Sequence, residues 1–248
     1  MTLRVDLNCD LGEGCDNDAE VMKYISSANI ACGGHAGDIE TMRRTVELAL
    51  KNDVAIGAHP GYADPENFGR IPVDLDKGKV IGLVIEQVAA LQIVCDEFDA
   101  RLTHVKPHGA LYNQAAKNPE LASALAEAVK AVDPKLILFG LASSHSITEA
   151  QRIGLRTASE VFADRTYKSD GSLTPRTEPN ALITDTKTSL EQVLDMVKYG
   201  RVRSLDAIMV GIKPETICIH GDGAHTVAFA KAINRNLLEN GIEIRRIA

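Results

Sequence analysis

Four histidines stand where short apolar runs give out: His35 in CGGHAG, His59 in GAHPG, His108 in VKPHG and His220 in ICIHG. Each has a glycine beside it or within two residues. Imidazole changes charge near neutral pH and ligates metals, and a neighbouring glycine permits the tight turn and close backbone approach that a reacting centre needs. Charged residues accompany them: Asp10 and Glu13 after the first run, Lys106 two residues before His108, Asp164 and Arg165 after Glu160, and Asp222 after His220. Such a set suits proton transfer, anion binding and metal ligation. One histidine at a strand end is as readily a cap or a satisfied polar group, but four in corresponding positions point to one shared site.

The runs that carry these residues read as strands at 3–8, 28–32, 54–59, 103–108, 136–141, 155–162 and 216–220, with a weaker one at 242–247. Between several of them, apolar residues recur at three and four, as amphipathic helices require, over 37–52, 79–98, 119–132, 189–200 and 225–240. Asp38 and Ser189 are candidate caps, and Pro119 suits a first helical turn. Alternating strands and helices imply an α/β fold with parallel strands. Seven or eight units in 248 residues fit a single (β/α) barrel over 1–248 better than an open sheet. The stretch 163–180, rich in turn residues around Asp170-Gly171, predicts an inserted hairpin or lid.

Residues at i and i+2 share a strand face, so Arg4, Asp6, Asn8 and Asp10 belong together, as do His104, Lys106 and His108. In a barrel these faces point inward and make a polar lumen, in which Lys106 must pair with Asp6 or Asp10. Asp10, His35 and His59 are acceptable metal ligands. No phosphate-binding loop, dinucleotide fingerprint, H-E-x-x-H or G-x-S-x-G motif is present.

A formal net charge of −7 gives no overall attraction for nucleic acid or an anionic membrane, so an anionic substrate needs a local cationic pocket. Five cysteines, an odd number at irregular spacings, fit reduced thiols in a cytoplasm, and neither Cys9 nor Cys32 has a charge context that singles out a thiolate. The amino terminus has no leader-like apolar stretch, and no apolar run approaches the roughly 20 residues of a membrane span.

DLNCDLGEG (6–14), ANIACGGHAGD (28–38), GAHPGY (57–62), VKPHGALYN (105–113), EVFADRTYKSDGSLTPR (160–176) and ICIHGD (217–222) closely resemble the LamB/YcsF family, in family order over essentially the whole chain. The departures are Gly34, where the family usually has phenylalanine, which predicts a wider pocket, and CDNDAE (15–20) in place of a glycine-rich continuation. The resemblance implies a barrel related to the glycoside hydrolase and deacetylase barrels. It also implies cleavage of the lactam of 5-oxo-L-proline to L-glutamate with ATP hydrolysis, shared with two partner subunits, B and C.

On that reading the lactam oxygen is phosphorylated and water attacks the activated carbon, which calls for cations at the phosphate, Mg²⁺ on the ATP and a base. Lys106 and Arg165, with Arg70 third, are candidates for the anionic groups. His59, His108 or His220 is the base, and Asp10, Glu13 or Asp222 orients an imidazole or holds Mg²⁺. Asp6, Asn8, Gly33, Gly34 and His35 belong to the substrate or nucleotide site, and Asp164 to the catalytic set. ATP binds at strand-end turns such as Gly33-Gly34 or Gly221, or on the partner subunits. Two other readings fit the same residues: a metal-dependent amidohydrolase or deacetylase acting alone, and a non-catalytic substrate-binding subunit. Self-association is compatible with either.

Overall fold

The computed structural model describes residues 2–220 and 226–247; Gly221 and Asp222 lie outside them. The chain runs β1 (Arg4–Leu11), α1 (Asp18–Val21), β2 (Ser27–Ala31), α2 (Ile39–Lys51), β3 (Ala55–His59), α3 (Lys77–Glu97), β4 (Leu102–Val105), α4 (Gly109–Lys117) and α5 (Pro119–Val132). It continues through β5 (Ile137–Leu141), α6 (His145–Arg152), β6 (Arg156–Phe162), α7 (Thr186–Tyr199), β7 (Arg201–Arg203), β8 (Met209–Gly211), β9 (Thr216–Ile219), α8 (Thr226–Glu239) and β10 (Glu243–Ile244).

Seven parallel strands close into a barrel in the order β1-β2-β3-β4-β5-β6-β9, and β9 pairs with both β6 and β1. The weak strand expected at 242–247 is not an eighth stave. Only β10 forms there, two residues paired with Arg4 and Val5 at the start of β1.

Alternation along β1 divides its side chains between two environments. Val5, Leu7, Cys9 and Leu11 belong to the apolar core, while Asp6, Asn8 and Asp10 are buried among polar partners from other strands. Arg4, on the same strand face by spacing, is exposed where the barrel begins. Helix caps fix the outer layer: Asp38 accepts from the Thr41 amide, Asn118 caps α5 with Pro119 in its first turn, and Asp185 accepts from the Thr188 amide. Ser189 is therefore not a cap; it lies inside α7 and donates to the Ala163 carbonyl.

Helix α3 is long and apolar enough to cross a membrane by length and composition, contrary to the expectation that no run is. Its buried residues recur at Val80, Val84, Gln87, Val88, Leu91, Val94 and Cys95, one stripe laid on β3, β4, α2 and α5. Helices α4 and α6 have no counterpart in the sequence pattern; α4 starts at Gly109, whose φ of 52° and neighbouring Pro107 read as a turn. Between β6 and α7, residues 163–185 hold irregular pairings, Tyr167 with Leu173 and Arg165 with Leu182, around the Asp170-Gly171 turn. The regular antiparallel hairpin is β7–β8, at 201–211.

Gly57 in β3 stands opposite His104 in β4, and the His104 ring stacks at 4.2 Å on Phe139. A Cβ on Gly57 would meet His104 Nε2 at 2.0 Å, so the ring lies flat across a position only glycine can supply. Gly57→Ala is expected to cost at least about 2 kcal/mol by overpacking, near 4 °C or more in Tm. A urea melt with an unchanged midpoint would contradict this packing.

Candidate functional site

The barrel interior is polar on the β1–β4 side and apolar at Ile137, Phe139 and Ala158. At the lower level Asp6 accepts from the hydroxyls of Ser26, Ser27 and Thr216. Burial raises its carboxyl pKa, and it makes no pair with Lys106. Above it, Asn8 donates to Glu160 and Thr216, and Asn29 donates to Asn8 and Asp10 while its carbonyl faces His104 Nε2 at 2.9 Å.

The upper level opens to the mouth. Lys106, 2% exposed, places its ammonium 2.7 Å from Asp10, 3.2 Å from Glu160 and 2.9 Å from the Cys218 sulfur. Burial opposes the charge, but Asp10 and Glu160 hold the ammonium well above its usual pKa. Burial likewise opposes Asp10, and the charges of His59 and Lys106 hold it well below the usual carboxylate range. Lys106 therefore sits between two carboxylates.

Next to this pair lies a histidine cluster. Glu13 Oε1 is 2.8 Å from His35 Nε2, 3.2 Å from His108 Nδ1 and 3.6 Å from His59 Nε2, and Asp10 Oδ2 is 3.4 Å from His59 Nε2. His59 Nε2 and His108 Nδ1 are 2.9 Å apart. Their outer nitrogens donate to backbone carbonyls, His59 Nδ1 to Lys106 and His108 Nε2 to Phe68. His35 stacks on His108 with ring centres 3.6 Å apart. Burial pushes His35 down to about 4 and lowers His108. His59, although buried, is raised by Asp10 and Glu13. Burial opposes the Glu13 carboxylate too, and its contacts with His108 and His35 outweigh that and hold it below its usual range.

These groups open on a cavity of about 760 Å³, lined by Asp10, Glu13, His59, Lys106, His108 and His220. His220 Nδ1 is 2.7 Å from Asp164 Oδ2, and its ring stacks on Phe162. Arg70, Lys117, Arg165 and Arg176 line the same cavity. Arg165 is nearly buried, donates to the carbonyls of Thr174 and Ala181, and is pushed down to about 10 by burial and by Arg176. This is the local cationic pocket that an acidic chain needs for an anion.

Of the residues expected at the site, Asp10, Glu13, His59, Lys106, His108, Arg165 and His220 converge on the cavity, with Arg70 at its wall and Asp164 behind His220. His35 lies behind Glu13, outside the lining, and Asp6 and Asn8 lie deeper in the lumen. Gly33 and Gly34 do not line the cavity. Gly34 does not widen it either: a Cβ there would meet Gln87 Oε1 at 2.4 Å and the Gly61 carbonyl at 2.7 Å, because Gln87 fills that space and hydrogen-bonds both backbone groups of Gly61. Buried thiols are not nucleophiles here: burial raises Cys9 and Cys218 well above the usual range and Cys32 to about 12.

Sequence reasoning missed Tyr112, Lys117, Arg176 and the Phe68 carbonyl. Tyr112 follows His108 by one helical turn, a spacing visible only once α4 is recognised. Glu160 and Asn29 were readable from strand alternation, one residue in two, as lumen groups.

A closed parallel barrel with its polar groups gathered at the strand ends places the chain among (β/α) barrels of the kind seen in a family 4 carbohydrate esterase from Streptomyces lividans. That structure covers 99% of this chain and 93% of its own at a TM-score of 0.52 and 12% identity, a likeness of fold alone. The chain belongs to the LamB/YcsF family, whose family model matches residues 5–248. It is 52% identical to the 5-oxoprolinase A subunit of Clostridium kluyveri, over 98% of both chains. It is also 52% identical to the protein of the same name in Erwinia tasmaniensis, over 98% of this chain and 99% of the other. A crystal structure of the lactam utilization protein from Thermus thermophilus superposes at a TM-score of 0.93 with 39% identity, covering 99% and 100% of the two chains.

The buried histidines set a pH dependence. Burial and the charge of Lys106 hold His104 down at about 3, whereas an unfolded histidine titrates near about 6.5. A depressed base leaves the unfolded chain binding more protons below 6.5, so the contribution is complete above that pH and is lost as pH falls toward 3. His35 acts in the same direction with its limit at about 4. His59 is raised, so its contribution is complete below 6.5 and lost only at higher pH. Between pH 6.5 and 5, stability should fall with a slope that steepens toward a limit of about 1.4 kcal/mol per pH unit for each depressed histidine. Urea midpoints across that range measure the slope, and His104→Gln should flatten it.

Proposed function

We propose that the chain is the A subunit of an ATP-dependent 5-oxoprolinase, opening the lactam of 5-oxo-L-proline to L-glutamate together with 5-oxoprolinase subunits B and C. The observation that carries this reading is 52% identity over nearly the full length of proteins so named. The cavity supplies chemistry to match.

A lactam is a resonance-stabilised amide and a poor electrophile, and phosphorylation of its oxygen by ATP activates the ring carbon. Water then adds to that carbon, and the carbon–nitrogen bond breaks as a proton is delivered to the leaving amine. A second water hydrolyses the resulting acyl phosphate to glutamate and phosphate. His220, with Nδ1 turned to Asp164, is the proton-transfer group: it accepts a proton from water and returns one to the amine. Its ring nitrogen lies within 4.8 Å of the Asp10 carboxylate, which supports proton transfer beside the Lys106 pair.

The anion, whether substrate carboxylate or phosphoryl group, goes to Arg165, with Arg176 and Arg70 nearby, and not to Lys106, whose ammonium already faces Asp10 and Glu160. Residues 163–180 carry Arg165, Thr174 and Arg176 on the cavity wall and act as its lid. ATP and its Mg²⁺ belong to the partner subunits, a reading favoured because the Gly33-Gly34 turn stands outside the cavity.

The test is glutamate release from 5-oxoproline by the purified chain with and without ATP, Mg²⁺ and subunits B and C. Turnover is expected only in the full mixture, and His220→Asn should lower kcat by about 10²–10⁴. Amide cleavage by the chain alone, without nucleotide, would establish an independent amidohydrolase instead. Undiminished turnover with His59, His108 and His220 each replaced by alanine would make the chain a substrate-binding subunit.

A further inference from the structure

We infer that Asp10, Glu13, His59 and His108 form a binding site for one divalent first-row metal ion of the zinc class. The inner atoms of Glu13, His59 and His108 lie close enough to one another to ligate one small cation, and Asp10 joins them through His59. His59 Nε2 lies 3.4 Å from Asp10 Oδ2 and 3.6 Å from Glu13 Oε1. His108 Nδ1 lies 3.2 Å from Glu13 Oε1 and 2.9 Å from His59 Nε2. Tetrahedral nitrogen and oxygen ligands at about 2.0–2.1 Å from zinc are separated by about 3.3–3.4 Å, the middle of that range.

The outer hydrogen bonds set the tautomers. Carbonyl oxygens only accept, so His59 Nδ1 and His108 Nε2 must carry the protons given to Lys106 and Phe68. With both rings neutral, the inner nitrogens present lone pairs to the same point, where they repel unless a metal cation or a proton lies between them. A ring held by a carbonyl on its far nitrogen is the usual outer support of a ligating histidine. His35 has the corresponding role for Glu13, whose oxygen its Nε2 meets at 2.8 Å. The sequence suggested Asp10, His35 and His59; the set proposed here keeps Asp10 and His59 and adds Glu13 and His108.

Charge points the same way. With neutral imidazoles, the ammonium of Lys106 beside Asp10 and Glu160 offsets one of the three buried carboxylates Asp10, Glu13 and Glu160, leaving two negative charges that one divalent ion would neutralise. Nitrogen and oxygen donors in equal number suit zinc or manganese better than magnesium, which prefers oxygen alone. All four side chains line the cavity. An ion there would supply Lewis-acid polarisation to a bound oxygen, and the site does not depend on the identity of the substrate.

The test uses the purified full chain, stripped with chelator and titrated with Zn²⁺, Mn²⁺ and Co²⁺ by calorimetry, with metal content measured after gel filtration. One equivalent of zinc is expected, as are the visible absorption bands of four- or five-coordinate cobalt. His59→Gln and His108→Gln should each weaken binding by about 100-fold or more, while His145→Gln, at an exposed histidine, should leave it unchanged. Folded wild-type protein that takes up none of the three ions would overturn the site and show that a shared proton joins the two rings. Full-affinity binding in both glutamine variants would overturn it as well. Neither readout requires turnover, so loss of the lactam reading and loss of the metal site are distinguishable.

Discussion

The ammonium of Lys106, buried between Asp10 and Glu160, is the constraint to which the rest of the barrel answers. A lysine withdrawn from water is costly unless compensated, and compensating it with two carboxylates brings a fresh requirement, because those oxygens must be satisfied as well. Asn8 and Asn29 meet part of it, each spanning between strands: Asn8 donates to Glu160 Oε1 and Thr216, Asn29 to Asn8 and Asp10 Oδ1, while Glu160 Oε2 is buried without a hydrogen-bond partner among the described residues. Amides suit this position because they offer donors and an acceptor without another charge. The usual filling of branched aliphatics is excluded on this side of the lumen and returns only around Phe139.

The same network determines how the mouth is organised. Lys106 contributes its side chain to the ion pair and its carbonyl to His59, so a single residue fixes both the charge balance and one ring's tautomer. Phe68 does the equivalent for His108 through its own carbonyl. The histidines are therefore oriented by backbone, which is rigid, and approached by carboxylates, which tune their protonation. His220 follows a separate plan, oriented by the Asp164 side chain on the 163–185 segment.

Much of this was legible in the letters. The i, i+2 alternation of Asp6, Asn8 and Asp10 announced a polar lumen, and the need to neutralise buried charge called for Asp6 or Asp10 as the partner of Lys106, which is Asp10. The strand-end histidines gathered as expected because parallel barrels collect their loops at one face. What escaped had no local signature. The Phe68 carbonyl is chemistry without a side chain, the occupant of the space beside Gly34 is Gln87 from a distant helix, and α4 hides behind Pro107 and Gly109, two residues that signal a turn. Arg4 was assigned inward by spacing alone, which says nothing about where a barrel ends.

Closure by β9 has a consequence for the order of synthesis. Thr216 and Cys218 reach Asp6, Asn8 and Lys106 from a strand that emerges near the end of the chain. A nascent chain of the first six staves has β1 and β6 as open edges and its buried carboxylates and ammonium facing an unfilled gap. The charged lumen therefore cannot be sealed progressively during translation. Until β9 has been made, the growing chain leaves open to water the very groups that the finished barrel keeps dry.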